Sequence, residues 1–255
     1  MNTPKSLRIS VITVCYNSAS TLEKALRSVA DQSWPLIEHI VIDGGSTDGT
    51  LQIIEKFGPH LAKIISEPDQ GIYDAMNKGL AHASGDIICF LNADDHYAWP
   101  GALAEVAQQM QEHHLEALLG DVAFFHADNP ERIVRRYRSD RFHPARLAWG
   151  WQPAHPALFL RRSVIERVGR FKTSYRIAGD FEFILRAFHD TDLRYRHFST
   201  IFVRMQTGGA STGGIKSKIR LNREVLRACR ENGLRTNMLK ILSKYPLKLL
   251  ELVIR

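Results

Sequence analysis

Apolar residues over about the first hundred positions fall into two alternating patterns. LRISVITV is a near-continuous apolar run and predicts a buried strand. TLEKALRSVADQ, directly after it, spaces its apolar residues three and four apart, as a helix with one buried face does. The pairing recurs. IEHIVID reads as a strand, followed by a Gly-rich turn and a helix through LQIIEKF. LAKIISE predicts a third strand, GIYDAMNKGLAHA a helix and DIICFLN a fourth strand. Ser46 to Asp48, and Ser20 or Thr21, offer helix N-caps. Strands alternating with helices in this way predict right-handed βαβ units and a mostly parallel sheet, an α/β fold.

The second half is less regular. After Pro100 a helix is expected through GALAEVAQQMQEHH, then strands at EALLGDVAFF and ERIVRRYR. The stretch from Ser139 to Pro156 has no clear period. ALFLRR predicts another strand, AGDFEFILRAFHD a helix and LRYRHFSTIFVRM a late strand. QTGGASTGG reads as a mobile loop, and residues 215–255 as helical with a break at Pro246.

Composition narrows this picture. With 255 residues, 44% of them hydrophobic, the chain can bury one substantial core. Its three cysteines are far apart and form no CxxC pair, which disfavours a zinc ribbon or disulfide framework and suits a reducing cytoplasm. No signal peptide and no transmembrane run of 18 apolar residues is expected. The net charge of +7 is uneven: from Arg204 onward there are 12 Lys/Arg against three acids, or +9, which leaves −2 for the rest. Basicity confined to the C-terminal region argues against a nucleic-acid binder.

Candidate chemistry lies at the strand ends. In a parallel α/β sheet, ligands bind beyond the carboxyl ends of the strands. Asn17 follows the first strand, Asp43 ends the second, Asp69 follows the third, and Asn92, Asp94 and Asp95 follow the fourth. Adjacent carboxylates repel unless a cation neutralises them, and hard oxygen ligands favour Mg²⁺ or Mn²⁺ on a substrate diphosphate. For an isolated Asp-Asp a solvated turn with a helix cap would be the better reading, and the strand-end context inverts that. DGGSTDGT could likewise be no more than a tight strand-to-helix turn. No GxxxxGK[ST] and no GxGxxG after the first strand is present, which speaks against a P-loop NTPase and a nicotinamide dehydrogenase.

The segments ISVITVCYNSASTLEKALRSVADQS, EHIVIDGGSTDGT, EPDQGIYDAMNKGLAHASGDIICFLNADD, HPALFLRRSVIERVGRF and AGDFEFILRA stand in this order. In them the chain resembles the family 2 glycosyltransferases of GT-A fold, and among these the enzymes that assemble bacterial exopolysaccharide or O-antigen repeat units. The resemblance implies a metal-dependent, inverting, hexosyltransferase-like enzyme with a nucleotide-diphosphate-sugar donor, a divalent cation and a glycan or polyprenyl-diphosphate-linked acceptor. The matching segments cover roughly residues 8–190; the domain division expected is a GT-A domain over 1–214, with a nucleotide-sugar half about 1–100 and an acceptor half about 101–214, and a basic helical extension over 215–255. By position, Asp43 would contact the base, Asp94 the ribose, Asp95 with Asp94 the metal, and Asp180 would be the catalytic base. Three positions depart from the family's acidic pattern: Gly44, Asn92 and Gly179 stand where it often has acids.

Other candidates follow from spacing. Asp74, Asn77 and Lys78 share one helix face, which either meets the donor or is a solvated, ion-paired face. His155, between two prolines, either reaches acceptor or diphosphate or is structural. Trp149 and Trp151 either stack on a sugar or pack. Asp121, after an apolar run, is a further acceptor-side candidate. The loop from Gln206 to Gly214 is expected to order over the donor and exclude water. TNMLKILSKYPLKLLELVIR interleaves Leu and Ile with Lys240, Lys244, Lys248 and Arg255, and suggests peripheral contact with the inner, anionic face of the cytoplasmic membrane; packing on the domain or a dimer contact is the alternative. The rival functions are a sugar-1-phosphate nucleotidyltransferase and a catalytically inactive nucleotide- or glycan-binding module.

Overall fold

The computed structural model describes residues 6–189, 192–208 and 214–245. The first strands and helices alternate as their periodicity predicts: β1 (Ile9–Cys15), α1 (Leu22–Ala30), β2 (Ile37–Asp43), α2 (Thr50–Phe57), β3 (Lys63–Ser66), α3 (Ile72–His82) and β4 (Ile87–Phe90). Then come β5 (Asp95–Tyr97), α4 (Ala102–Glu112), β6 (Ala117–His126), β7 (Asn129–Tyr137), β8 (Leu158–Arg161), α5 (Arg162–Val168), α6 (Gly179–Phe188), β9 (Tyr195–Gln206), α7 (Ile215–Glu231) and α8 (Met238–Leu242).

One sheet runs in the order β3-β2-β1-β4-β8-β6-β9-β5, with β7 added on β6. The β3-β2-β1-β4 half is parallel. β8 enters antiparallel to β4 and β6, while β6 and β9 run parallel. Every residue of β1 is buried because helices cover both faces of the sheet, which is why its sequence is apolar without alternation. One face carries Ile12, Ile40, Phe181 and Ile184; the other carries Val11, Cys89, Leu103 and Phe159.

Two elements were not expected from the sequence. Of the two aspartates after the fourth strand, only Asp94 lies in a turn: Asp95 begins β5, which pairs antiparallel with β9. A run of only three residues carries too little period to be read. The strand at ALFLRR is followed at once by α5, whose pattern is equally short.

The C-terminal helices share the main core. Val225, Ala228 and Cys229 of α7 and Ile241 of α8 are buried in one cluster with Leu147 and Ile184. Burying each large aliphatic side chain stabilises the fold by roughly 1.5–3 kcal/mol, so α7 is held firmly. This corrects the amphipathic reading of the tail in one respect. Lys244 is 5% exposed, with its Nζ 3.5 Å from the Gly150 carbonyl, so it faces inward and not a lipid surface. Pro246, Lys248 and Arg255 lie outside the described residues, as do positions 209–213 of the expected loop. Among the described residues no helix is long and apolar enough to cross a membrane.

Candidate active site

The register β1-β2-β3 aligns Cys15, Asp43 and Ser66 at one rim. Asp43 is fully buried there and its carboxylate is occupied. It accepts from the backbone N–H of Gly45 (3.2 Å) and Ser46 (3.1 Å), the hydroxyls of Ser46 and Ser66 (2.7 Å for Ser66) and the Cys15 thiol (3.8 Å). Burial opposes its charge, but the Ser46 and Ser66 hydrogen bonds outweigh burial and hold the carboxyl below its usual range. Asp43 thus shapes the loop that follows it. Asn17 does the same from β1. It adopts φ 48, in the left-handed region that Asn tolerates, donates its N–H to Ser46 Oγ (2.8 Å) and accepts from Thr47 N–H (2.9 Å). Asp48 accepts from Ala19 N–H at 3.1 Å. The loops after β1 and β2 are therefore braced against each other.

Gly44 lies against Asp69. A Cβ built on it would sit 2.3 Å from Asp69 Oδ2 and 3.5 Å from the Tyr16 ring. Asp69 supplies a carboxylate to the place where a side chain at position 44 would project. Tyr16, 62% exposed beside it, was missed by the sequence reading. Its only signal was an aromatic residue immediately after the first strand.

The α3 face divides. Lys78 Nζ reaches Glu67 (2.9 Å), the Pro68 carbonyl (2.9 Å) and Asp74 (3.7 Å). Asp74 also accepts from Gln70 N–H. Asn77 exchanges two hydrogen bonds with the backbone of Phe171. The shared face is thus an ion-paired brace that holds the loop carrying Asp69.

Beyond β4 the polar groups are unsatisfied. Asp95 is 1% exposed, and neither carboxylate oxygen has a hydrogen-bond partner; Oδ1 of Asn92 also has none. Burial, then the neighbouring Asp94, pushes the Asp95 carboxyl well above its usual value, and burial raises Asp94 as well. An unpaired buried carboxylate is costly, and a cation would remove the cost. Among the described residues no cluster of three or more His, Cys, Asp or Glu forms a protein-only cage. Two carboxylates with the remaining positions left to water and phosphate oxygens fit Mg²⁺ or Mn²⁺.

Asp180 stands in the first turn of α6. Its Oδ2 accepts from the Gln152 side-chain amide at 2.8 Å, and Oδ1 accepts from Phe181 N–H at 2.8 Å. His155 lies close enough for the Asp180 charge to act on it, yet burial dominates and keeps the imidazole below its usual pKa, hence neutral. The ring stacks on Phe90 at 5.3 Å and meets Phe171 edge-on at 6.2 Å, so it packs between β4 and Phe171. Gly179 is explained by Tyr73: a Cβ there would lie 2.6 Å from that ring. The space before Asp180 is filled by the Tyr73 ring.

Asp121 is corrected. It is fully buried and accepts from Arg136 (2.8 Å), Ser139 N–H (3.0 Å) and His197 Nε2 (2.7 Å), so its carboxylate is committed to joining β6, β7 and β9. Trp151 is half-buried, with its N–H on the Arg146 carbonyl. Trp149 is exposed, with Lys240 Nζ 5.5 Å from its ring centre. Gln152 was overlooked although it adjoins His155 in the same irregular stretch.

Residues 10–169 match the model of the family described as "Glycosyl transferase family 2". The chain belongs to this family. Relatives agree with the match. A "PGL/p-HBAD biosynthesis glycosyltransferase" of Mycobacterium tuberculosis is 33% identical over 218 residues, covering 84% of this chain and 82% of the relative. The glycosyltransferase AglE of Haloferax volcanii is 31% identical over 73% of this chain and 62% of its own length. Among solved structures, residues 1–349 of S. aureus TarS in complex with UDP-GlcNAc superpose with a TM-score of 0.70 at 22% identity, over 87% of this chain and 66% of that one. The mannosyltransferase PcManGT of Pyrobaculum calidifontis, in complex with GDP-Man and Mn²⁺, gives 0.66 at 21% identity, over 90% of this chain and 65% of that one. At these identities the structural likeness fixes the GT-A fold.

Proposed function

We propose that this glycosyltransferase moves a sugar, with inversion, from a nucleotide-diphosphate-sugar to a hydroxyl of a glycan or lipid-linked acceptor in cell-surface polysaccharide assembly. The observation that carries the reading is the buried, unpartnered carboxylate of Asp95 beside Asp94, at the end of β4 on the same rim as Tyr16 and Asp69. A Mg²⁺ or Mn²⁺ ion held by Asp95 and Asp94 would neutralise the charge that develops on the departing diphosphate. Tyr16, Gly44 and Asp69 form the end that would receive the base. Asp180 would accept the proton of the acceptor hydroxyl as that oxygen bonds to the anomeric carbon and the carbon–phosphate-oxygen bond breaks. Attack from the face opposite the diphosphate yields inversion. Gln152 orients the carboxylate.

Residues about 1–100 would then bind the donor, and residues about 101–214 the acceptor. The TarS and PcManGT complexes support UDP- or GDP-linked donors, and the PGL/p-HBAD biosynthesis relative supports a sugar transfer within a biosynthetic route. A cytoplasmic enzyme resting on the inner membrane face is consistent with the exposed Ile215, Ile219 and Leu239 among Lys216, Arg220 and Lys240.

The test is a thermal-shift screen of UDP-, GDP- and dTDP-sugars with and without Mn²⁺, since a ligand of the folded state raises its apparent stability. One donor should shift melting only with the metal, and Asp180→Asn should bind it normally while losing on the order of 10²–10⁴ in transfer rate. Donor binding unchanged by EDTA, or transfer by Asp180→Asn at the wild-type rate, would refute the reading.

A further inference from the structure

The residue before α6 that should cap it is Ala178, which has no side-chain acceptor. A helix start leaves N–H groups unsatisfied, and an acidic group there is favoured both by hydrogen bonding and by the helix dipole. A carboxylate from another helix instead binds the chain that leads into α6, up to and including the cap residue. Glu224 of α7 accepts from three consecutive backbone N–H groups: Arg176 (3.1 and 3.2 Å), Ile177 (2.9 Å) and Ala178 (2.9 Å). Asp180 follows two residues later. Tyr73 closes the same turn from α3, donating its hydroxyl to the Ile177 carbonyl at 2.7 Å.

The neighbouring contacts repeat the link. Tyr175 donates to Glu231 (3.0 Å), and the Arg227 guanidinium lies 3.7 Å over the Tyr175 ring and donates to Ser174. Lys172 bridges Glu182 of α6 (2.9 Å) and Glu231 of α7 (3.1 Å). Helix α7 thus grips the segment 172–178 along its length, and its own position is fixed by the buried Val225, Ala228 and Cys229.

We propose that Glu224 is a positioning residue: it fixes the backbone from which Asp180 projects, so that helix α7 sets the aim of the catalytic base. The proposal rests on the reading of Asp180 as that base. Misplacing a reacting group by about 1 Å can cost on the order of 10²-fold in rate. A carboxylate that clamps three amides two residues away is well placed to prevent such a shift.

The experiment uses the full chain as wild type, Glu224→Ala, Glu224→Gln, Asp180→Asn and Glu224→Ala/Asp180→Asn. Donor affinity for UDP-GlcNAc and GDP-Man with Mn²⁺ is measured by calorimetry. Turnover is followed as nucleoside diphosphate release with water as acceptor, and amide exchange over 172–182 by mass spectrometry. Glu224→Ala should keep donor affinity, lose exchange protection at 176–178, and lose turnover on the order of tenfold to 10²-fold. Glu224→Gln keeps one acceptor oxygen and should fall between. In the Asp180→Asn background, loss of Glu224 should cost no further turnover. An equal fold-loss in both backgrounds marks a merely structural role and overturns the proposal, as does unchanged exchange in Glu224→Ala. A wild-type rate in Asp180→Asn overturns the base assignment instead. A normal fall in Asp180→Asn beside a wild-type rate in Glu224→Ala overturns the positioning role alone.

Discussion

Gln152 donates its side-chain amide to Oδ2 of Asp180 at 2.8 Å, while its own Oε1 is buried without a hydrogen-bond partner. One end of the amide therefore holds the Asp180 carboxylate and the other is left for a hydrogen-bond donor, such as a hydroxyl or a water. A hydrogen bond to a charged group is worth about 1.5–3 kcal/mol. Gln152→Ala should lower turnover about tenfold or more without loss of fold. Gln152→Glu, which sets a second carboxylate against Asp180, should lower it further. Nucleoside diphosphate release beside a far-ultraviolet spectrum checks both; wild-type turnover in Gln152→Ala would show that Asp180 needs no such partner.

Asp95 should make the metal-free enzyme pH-sensitive in a known direction. Its carboxyl is raised above the ordinary 3.8 by burial and by Asp94. The folded state therefore favours the protonated form. Stability from this group is fully present below 3.8 and is lost as pH rises from there through the higher folded value. At neutral pH without metal, Asp95→Asn should be more stable than wild type, because it removes the buried charge while keeping the side chain's shape. Mn²⁺ should raise the melting temperature of wild type and leave that of the variant unchanged. Differential scanning calorimetry with EDTA and with Mn²⁺ measures both effects, and an Asp95→Asn protein that Mn²⁺ still stabilises would place the metal elsewhere.

Much of this architecture was legible because it rests on long periodic runs. The β1 to β4 alternation needs only apolar period and turn residues to be read. The site was legible in part. Residue type and strand-end position pointed to Asp94 and Asp95, and the family resemblance pointed to Asp180, but none of these shows whether a carboxylate is free. Asp43 and Asp121 look like functional acids in sequence; only the fold reveals the donors from Ser66 and Arg136 that occupy them. Gln152 and Glu224 act across separations of 28 and 46 to 48 residues, and no local pattern announces such pairs.

His39 gives an acid-side prediction. It is fully buried on β2, its Nε2 lies 3.0 Å from the Thr13 hydroxyl, and burial lowers its pKa from 6.5 to about 3. The unfolded chain takes up a proton below 6.5 while the folded state resists until about 3. Stability from this group is therefore complete above 6.5 and falls as pH drops toward 3, by up to ~1.4 kcal/mol per pH unit. His39→Gln should flatten the decline between about pH 6 and pH 5, where ordinary carboxylates titrate little. Urea titrations at those two pH values provide the measurement; equal slopes in both proteins would mean that His39 charges without cost.

Gly179 should tolerate no side chain while Tyr73 stays where it is. A Cβ at this position would lie 2.6 to 2.8 Å from three atoms of the Tyr73 ring. The ring has nowhere to go: it is 5% exposed, stacked on Phe171 with centroids 5.7 Å apart, and tied through its hydroxyl to the Ile177 carbonyl. Overfilling a close-packed site typically costs 1–3 kcal/mol, so Gly179→Ala should lose about that much stability. The strain falls on the residue before Asp180, so turnover should fall more than donor affinity. Tyr73→Leu opens the space and loses its own packing. If the clash is the cause, Gly179→Ala/Tyr73→Leu should lose less than the two single changes added together, by at least about 0.5 kcal/mol, the usual sign of coupled neighbours. Helix propensity pushes the other way, since Ala is favoured over Gly inside a helix by about 1 kcal/mol. Gly179→Ala as stable as wild type, or strictly additive losses, would mean that the ring yields. The glycine would then need another reason, and the backbone before Asp180 would be held by the Glu224 carboxylate and the Tyr73 hydroxyl without the ring's packing.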